Sequence, residues 1–261
     1  MTESNGTVLV AGDAPLADEL AAWFAATDRR VVLYAIEAGG VGPAGVERAS
    51  DLVSAAGQAD VVIECTVWPF DRKRELVETL SRTLAEGAVL ASLCTAQSTA
   101  EIATWATRPD RVVGFSVLPP LETSQLVEVA PGLQSAAEAT EVVEAVFRAA
   151  GRETARVRDD AGLVLGRIVC LIINEAAAMV MEGVASAREI DVAMKLGANY
   201  PRGPLEWADL IGIDFVYAVV QGVQAEQHED RYRPCPLLRK MVLTGWLGRK
   251  SGRGFFEYAE P

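Results

Sequence analysis

Short apolar runs alternate with helix-length segments through the first 157 residues, and this alternation limits the fold more than any other feature. The runs are Val8–Ala11, Arg30–Ile36 (RVVLYAI), Ala59–Cys65 (ADVVIEC), Ala88–Leu93, Val112–Val117 and Gln125–Ala130. None alternates polar with apolar residues, as a strand with one wet face does. Continuous apolar runs belong to parallel strands buried on both faces. Helical patterns over Leu16 to about Ala26, Arg72–Leu84 and Thr99–Ala106 separate several of them. The pattern predicts a doubly wound parallel sheet, an α/β domain of Rossmann-like type, over residues 1–157.

After Val157 the texture becomes all-α. One long helix is expected over Gly162–Val184 and another over Arg188–Leu196, with Ser186 as its N-cap. Tyr200-Pro201-Arg202-Gly203-Pro204 breaks the chain. Helices resume over Leu205–Leu210, Phe215–Glu226 and Leu237–Thr244. Residues 158–261 therefore form a smaller helical domain. Its most apolar stretch, Leu163–Val184, carries Arg167, Asn174 and Glu175. A membrane span tolerates such residues poorly, so the stretch reads as a buried helix at a packing interface.

The 261 residues include 24 Lys and Arg against 36 Asp and Glu, a formal net charge of −12. That balance argues against nucleic acid and anionic membranes, which are held through clustered cations. Cys65, Cys94, Cys170 and Cys235 have no CxxC spacing and read as reduced and buried, which suits a cytoplasmic protein. Met1–Gly6 lacks a basic segment followed by an apolar one, so no secretion signal is expected. The single histidine, His228, excludes a His-rich metal site. Any histidine-dependent nucleophile would rest on this one residue in a polar loop, where solvation is the expected role.

A strand–glycine–helix opening invites a dinucleotide. That use requires G-x-G-x-x-G, for the turn, the approach of the pyrophosphate and the packing of the helix. Here the segment is Gly12-Asp13-Ala14-Pro15-Leu16-Ala17, so only the first glycine is present. Ala14 adds a methyl at the phosphate approach and Asp13 adds negative charge. Glu37, just past the second strand, stands near the place of a ribose-binding acid. Two readings remain open at this point: NAD bound by Gly12 and Glu37, or an empty scaffold with a tight turn.

Four blocks in the second half carry a family resemblance: Asn174-Glu175-Ala176, Ile190–Gly197, Tyr200–Glu206 and Gly248–Phe256. Asp60–Glu64, Ala91-Ser92, Glu101–Ala103 and Leu126–Val129 extend it through the first half. In order and spacing the chain resembles the 3-hydroxyacyl-CoA dehydrogenases, especially the bacterial 3-hydroxybutyryl-CoA and 3-hydroxyadipyl-CoA members. The resemblance implies NAD-dependent oxidation of an L-3-hydroxyacyl-CoA, an acyl-CoA ligand and a homodimer formed through the helical domain. It places Gly12, Glu37 and Glu64 on the cofactor side.

The family's general base is a histidine in a motif like H-F-F-N-P. The corresponding segment is Gly114-Phe115-Ser116-Val117-Leu118-Pro119-Pro120, which puts Ser116 at the histidine position. The glutamate that holds the imidazole, 12 residues on, is present as Glu128. The oxygen-binding serine, 21 residues before, is Thr95, and the asparagine, 50 residues after, is Gly166. Losing a general base costs about 10²- to 10⁴-fold in rate. The expectation is a family member with low or lost dehydrogenase activity. The alternative is a non-catalytic acyl-CoA-binding or partner subunit on the same scaffold.

Family members also carry a helical arm for CoA after the second strand. Here about 22 residues, including Gly39–Pro43, join the second strand to the third, so the arm is shortened or missing. Arg72-Lys73-Arg74 is open to two readings, a solvated helix face or a contact to CoA phosphates. Trp68-Pro69-Phe70 is either a packed loop or a plug where a nicotinamide would lie.

Overall fold

The computed structural model describes residues 6–36 and 42–258. The chain divides into two compact units, residues 1–117 with 121–163, and residues 118–120 with 164–261.

In the first unit, eight strands form one sheet in the order β3-β2-β1-β4-β5-β6-β7-β8. They are β1 (Thr7–Gly12), β2 (Arg30–Ala35), β3 (Glu47–Arg48), β4 (Val61–Cys65), β5 (Val89–Leu93), β6 (Val112–Ser116), β7 (Leu126–Pro131) and β8 (Glu153–Arg156). The helices are α1 (Leu16–Ala25), α2 (Leu52–Ala56), α3 (Phe70–Thr83), α4 (Thr99–Ala103) and α5 (Ala137–Ala149). Every residue of β4, β5 and β6 is buried, as their unbroken apolar runs require. One core packs Leu76, Val77 and Leu80 of α3 and Ile102 of α4 with Leu9, Val62 and Leu90 of the sheet. Elsewhere Phe147 of α5 stacks between Phe24 of α1 (5.6 Å) and Phe115 of β6 (5.2 Å).

The sheet departs from an all-parallel one at β7, which runs antiparallel to β6. Nine residues separate Ser116 from Leu126, too few for the crossover that a parallel neighbour needs. The helix α5 supplies a crossover afterwards, and β8 runs parallel to β7. No helical arm lies over residues 42–60: they hold only the two-residue β3 and the five-residue α2. Glu37 lies outside the described residues, as do Gly39, Gly40 and Val41.

The second unit consists of α6 (Leu165–Met181), α7 (Ala187–Gly197), α8 (Pro204–Ile211), α9 (Ile213–Gln227) and α10 (Pro236–Leu243). Ser186 caps α7 in a full capping box with Glu189. Two buried carboxylates tie the unit's loops together. Asp191 accepts the N–H groups of Leu205 and Glu206, both at 2.8 Å. Asp209 accepts those of Phe255 (2.8 Å) and Phe256 (2.9 Å) and the Tyr258 hydroxyl (3.0 Å). Gly254 lies against the Asp209 carboxylate, where any side chain would overlap it. The Gly248–Phe256 block is thus a clasp around a buried acid. Asn174 of α6 joins in, donating to the Arg233 carbonyl and accepting from the Cys235 N–H.

The long helix is not wholly buried as expected: Ile168 and Met181 of α6 are exposed, with Val164 just before it and Val184 just after. Among the described residues no single helix is long and apolar enough to cross a membrane. All four cysteines are buried and free. His228 ends α9 in a left-handed conformation, exposed.

Candidate active site

Ligands in open α/β sheets bind beyond the C-terminal ends of the strands, where the chain reverses its direction of travel. Here that point lies between β1 and β4. Gly12 ends β1 opposite Cys65, and a methyl group on it would come within 2.7 Å of the Cys65 backbone. The glycine is therefore needed for packing β1 against β4, whether or not a ligand is present.

The turn that follows is acidic. Asp13 accepts the Val67 N–H at 2.9 Å and lies 3.5 Å from Arg72. Burial pushes its carboxyl above the usual range. Asp18 meets Arg48 at 3.3 Å. Glu19 accepts the Leu121 N–H at 2.9 Å, and burial pushes it up as well. Pro15, before α1, has no N–H, and the Ala17 N–H is taken by the Asp13 carbonyl. A pyrophosphate requires free backbone donors and positive potential at this helix start. The turn does not fit one in the manner of a glycine-rich loop: Ala14 stands in place of the second glycine, Asp13 adds a carboxylate, and two donors are missing or engaged.

Glu64 stands below this turn and is wholly buried. One oxygen accepts the Thr66 N–H at 2.7 Å; the other takes both the Lys73 ammonium and the Ser92 hydroxyl. Lys73, equally buried, also donates to the Thr66 carbonyl at 3.3 Å. Glu64, expected beside a cofactor, is the centre of an internal network. The Arg72-Lys73-Arg74 run is likewise no uniform charged face. Arg72 faces Asp13, Lys73 points inward and Arg74 pairs with Glu78. Helical period explains this, since Lys73 shares the stripe of Leu76, Val77 and Leu80. Nearby, Trp68 and Phe70 pack edge to face at 4.6 Å, both half-buried.

Across β6 and β7 the register sets Ser116 directly opposite Glu128, and both are buried. Directly opposed residues hold their Cβ atoms ~5 Å apart, so a hydroxyl and a carboxylate share one patch of the sheet. Thr95 follows β5 and is buried, its hydroxyl without a partner. Gly166 lies in the first turn of α6 in the second unit, also buried, and offers no side chain. Two further polar residues go beyond those expected from the sequence. Thr66 and Gln97, buried and without partners for Oγ1 and Oε1, follow β4 and β5. Their sequence signal is a polar side chain just past an apolar strand.

Comparison with known proteins accounts for both units. The NAD-binding-domain model of the 3-hydroxyacyl-CoA dehydrogenases matches residues 43–160, and their C-terminal-domain model matches residues 162–258. The turn at Gly12 lies outside the matched stretch. A Bacillus subtilis protein described as a probable 3-hydroxybutyryl-CoA dehydrogenase is 41% identical over 211 residues, 81% of this chain and 74% of its own. The 3-hydroxybutyryl-CoA dehydrogenase of Bradyrhizobium diazoefficiens is 36% identical over 210 residues, 80% of this chain and 72% of its own. The crystal structure of the (S)-3-hydroxybutyryl-CoA dehydrogenase of Ralstonia eutropha superposes with a TM-score of 0.81 at 31% identity. That match covers 98% of this chain and 100% of the other. With the NAD-binding domain and the C-terminal domain both present and in order, the chain belongs to the 3-hydroxyacyl-CoA dehydrogenase family.

Proposed function

We propose that this member of the family oxidises 3-hydroxyacyl-CoA substrates slowly or not at all, while keeping a site for the acyl ligand. One observation carries the reading: Ser116, not an imidazole, stands opposite Glu128. A lone serine hydroxyl ionises far above pH 7, whereas a general base should titrate near the working pH. Glu128 is the remaining proton acceptor on that patch, with Thr95 to bind an oxygen and Gly166 providing no second ligand. The carboxylates around the Gly12 turn add to this by weakening the hold on the pyrophosphate of NAD.

Acetoacetyl-CoA with NADH, followed by absorbance, tests the reading. Turnover should fall about 10²- to 10⁴-fold below the ~10 per second typical of enzymes. A rate near 10 per second would overturn it. Calorimetric titration with NADH should show no saturation in the micromolar range, and low-micromolar affinity would sink that part.

A second reading, a partner subunit acting through a homodimer, draws support from the helical unit. Its exposed apolar side chains include Ile168, Val192, Leu196 and Leu243, which a second copy would cover. Sedimentation of a monomer at micromolar concentration would rule the homodimer out.

A further inference from the structure

The helical unit carries an open recess of about 280 Å³, the space of about nine waters at ~30 Å³ each. One face of α7 supplies Arg188 and Lys195, seven residues apart and so two turns along the same stripe. Glu206 of α8 lines it too, with Arg249, Phe256 and Tyr258 from the segment clasped around Asp209. None of these residues enters the chemistry at Ser116 and Glu128.

The recess is cationic in a chain whose net charge is −12. Arg188 forms no ion pair or hydrogen bond among the described residues. It is the second residue of α7, where the helix dipole repels a cation, so nothing in its own helix accounts for the charge. Lys195 and Arg249 share one carboxylate, Glu206, at 3.4 and 3.9 Å. The other acid at the recess, Asp191, is committed elsewhere: its two oxygens accept the Leu205 and Glu206 N–H groups at the start of α8. Three cations thus face a single shared carboxylate. Arg249 lies over the Tyr258 ring, 5.2 Å from its centre. Stacking of this kind uses the face of a guanidinium and leaves its edge N–H groups for a planar acceptor.

This charge pattern limits what the recess can take. A cationic ligand is repelled, and among the described residues no cluster of His, Cys, Asp and Glu could hold a metal ion. An uncharged ligand would leave Arg188 as unmatched as before. A carboxylate or phosphate suits it, because guanidinium edges pair with either group in matched geometry. Phe256 and Tyr258, both half-buried, offer flat apolar contact beside the cations, and the volume restricts the body of the ligand to about one ring.

We propose that this recess binds a small organic anion, one carboxylate or phosphate group carried on a single flat ring. Arg188, Lys195 and Arg249 meet the anionic group, and Phe256 and Tyr258 take the ring. The cations are partly solvated, so binding is weak and falls as salt rises. The site lies wholly within the helical unit and does not depend on the rate of the dehydrogenase.

Phenyl phosphate, benzoate, phenol and inorganic phosphate are titrated into the full chain, calorimetrically and by spectra of its ¹³C-labelled tyrosines. The Tyr258 signal is identified by its loss in Tyr258→Phe. Phenyl phosphate or benzoate should move that signal and saturate at about millimolar concentration, and the tighter of the two names the anionic group. Phenol and inorganic phosphate should each bind at least tenfold more weakly. Arg188→Gln and Lys195→Gln should each weaken the ring-borne anion about threefold to tenfold. Arg239→Gln, at an exposed arginine of α10 outside the recess, should leave its binding unchanged. Inorganic phosphate binding as tightly as phenyl phosphate would mean an adventitious ion only and would overturn the proposal. So would phenol binding as tightly as the anions, saturation by neither anion, Arg188→Gln binding as the wild type does, or Arg239→Gln losing as much as Arg188→Gln. Arg188 is exposed and makes no contact that its replacement breaks, so its variant decides the matter even if Lys195→Gln fails to fold.

Discussion

On the proposed reading, position 116 holds a hydroxyl where the reaction needs a group that titrates near neutrality, and Glu128 is the partner that would orient such a group. Glu128 is set across from residue 116 by the β6–β7 ladder, so an imidazole introduced there would emerge beside a carboxylate. We predict that Ser116→His with Gly166→Asn raises the reduction of acetoacetyl-CoA by at least tenfold at the highest attainable NADH, within the range of a restored general base. The separation of kcat from KM checks this. A double variant with unchanged kcat would mean that something other than these two side chains limits the chemistry. These positions were legible in the sequence only through the family resemblance, which sets them at fixed distances from the motif around Ser116. Asp13 was legible only as an unwelcome charge. That it accepts the Val67 N–H and faces Arg72 depends on β4 lying beside β1, which residue order alone does not state.

At the scale of elements, the all-apolar runs predicted the inner strands because burial on both faces leaves no room for polar alternation. The edges were harder. The two residues of β3 are exposed, and β8 reads Glu-Thr-Ala-Arg; an edge strand needs no apolar run when only its neighbour covers it. Lys73 was misplaced for another reason. Its charge suggested solvent, yet its helical period put it on the buried stripe, and Glu64 in an otherwise apolar strand needed a cation. Together those two signals identify the pair. A buried ion pair is sensitive to losing one member, since the other charge is left uncompensated, at about 3–5 kcal/mol. Lys73→Met should therefore lower stability by that amount in urea unfolding. Lys73→Met with Glu64→Gln should recover part of it, because the amide oxygen still accepts from the Thr66 N–H and its NH2 can donate to the Ser92 hydroxyl oxygen, without carrying charge. A double variant no more stable than Lys73→Met would show that packing around the lysine stem, rather than its charge, holds β4 to α3.

At the scale of the whole chain, acid should affect stability less than 36 carboxyl groups would suggest, because the perturbed ones pull in opposite directions. Burial raises Asp13, Glu19, Asp191 and Asp209 above their ordinary values. For a raised carboxyl the fold favours the protonated form. Its stabilising contribution is complete below the unfolded value and lost as pH rises through the folded one. These four therefore gain as pH falls. Glu144 acts the other way: hydrogen bonds and charge from Arg156, with Arg148 beside it, hold its carboxyl below the ordinary 4.5. Its contribution is present above 4.5 and lost as pH falls through the lowered value. Both arginines are about half exposed, so water screens the pair and its worth is about 1 kcal/mol. Urea midpoints for the wild type and Glu144→Gln should thus differ by that amount at pH 7 and converge once the pH has fallen through the lowered value, where the wild-type carboxyl is itself protonated. A gap that persists after the Glu144 carboxyl has been titrated would mean that Glu144 stabilises α5 and β8 through packing or neutral hydrogen bonds. The acid limb would then be shaped by the raised carboxyls and by Glu189, which hydrogen bonds from Ser186 hold below its ordinary value.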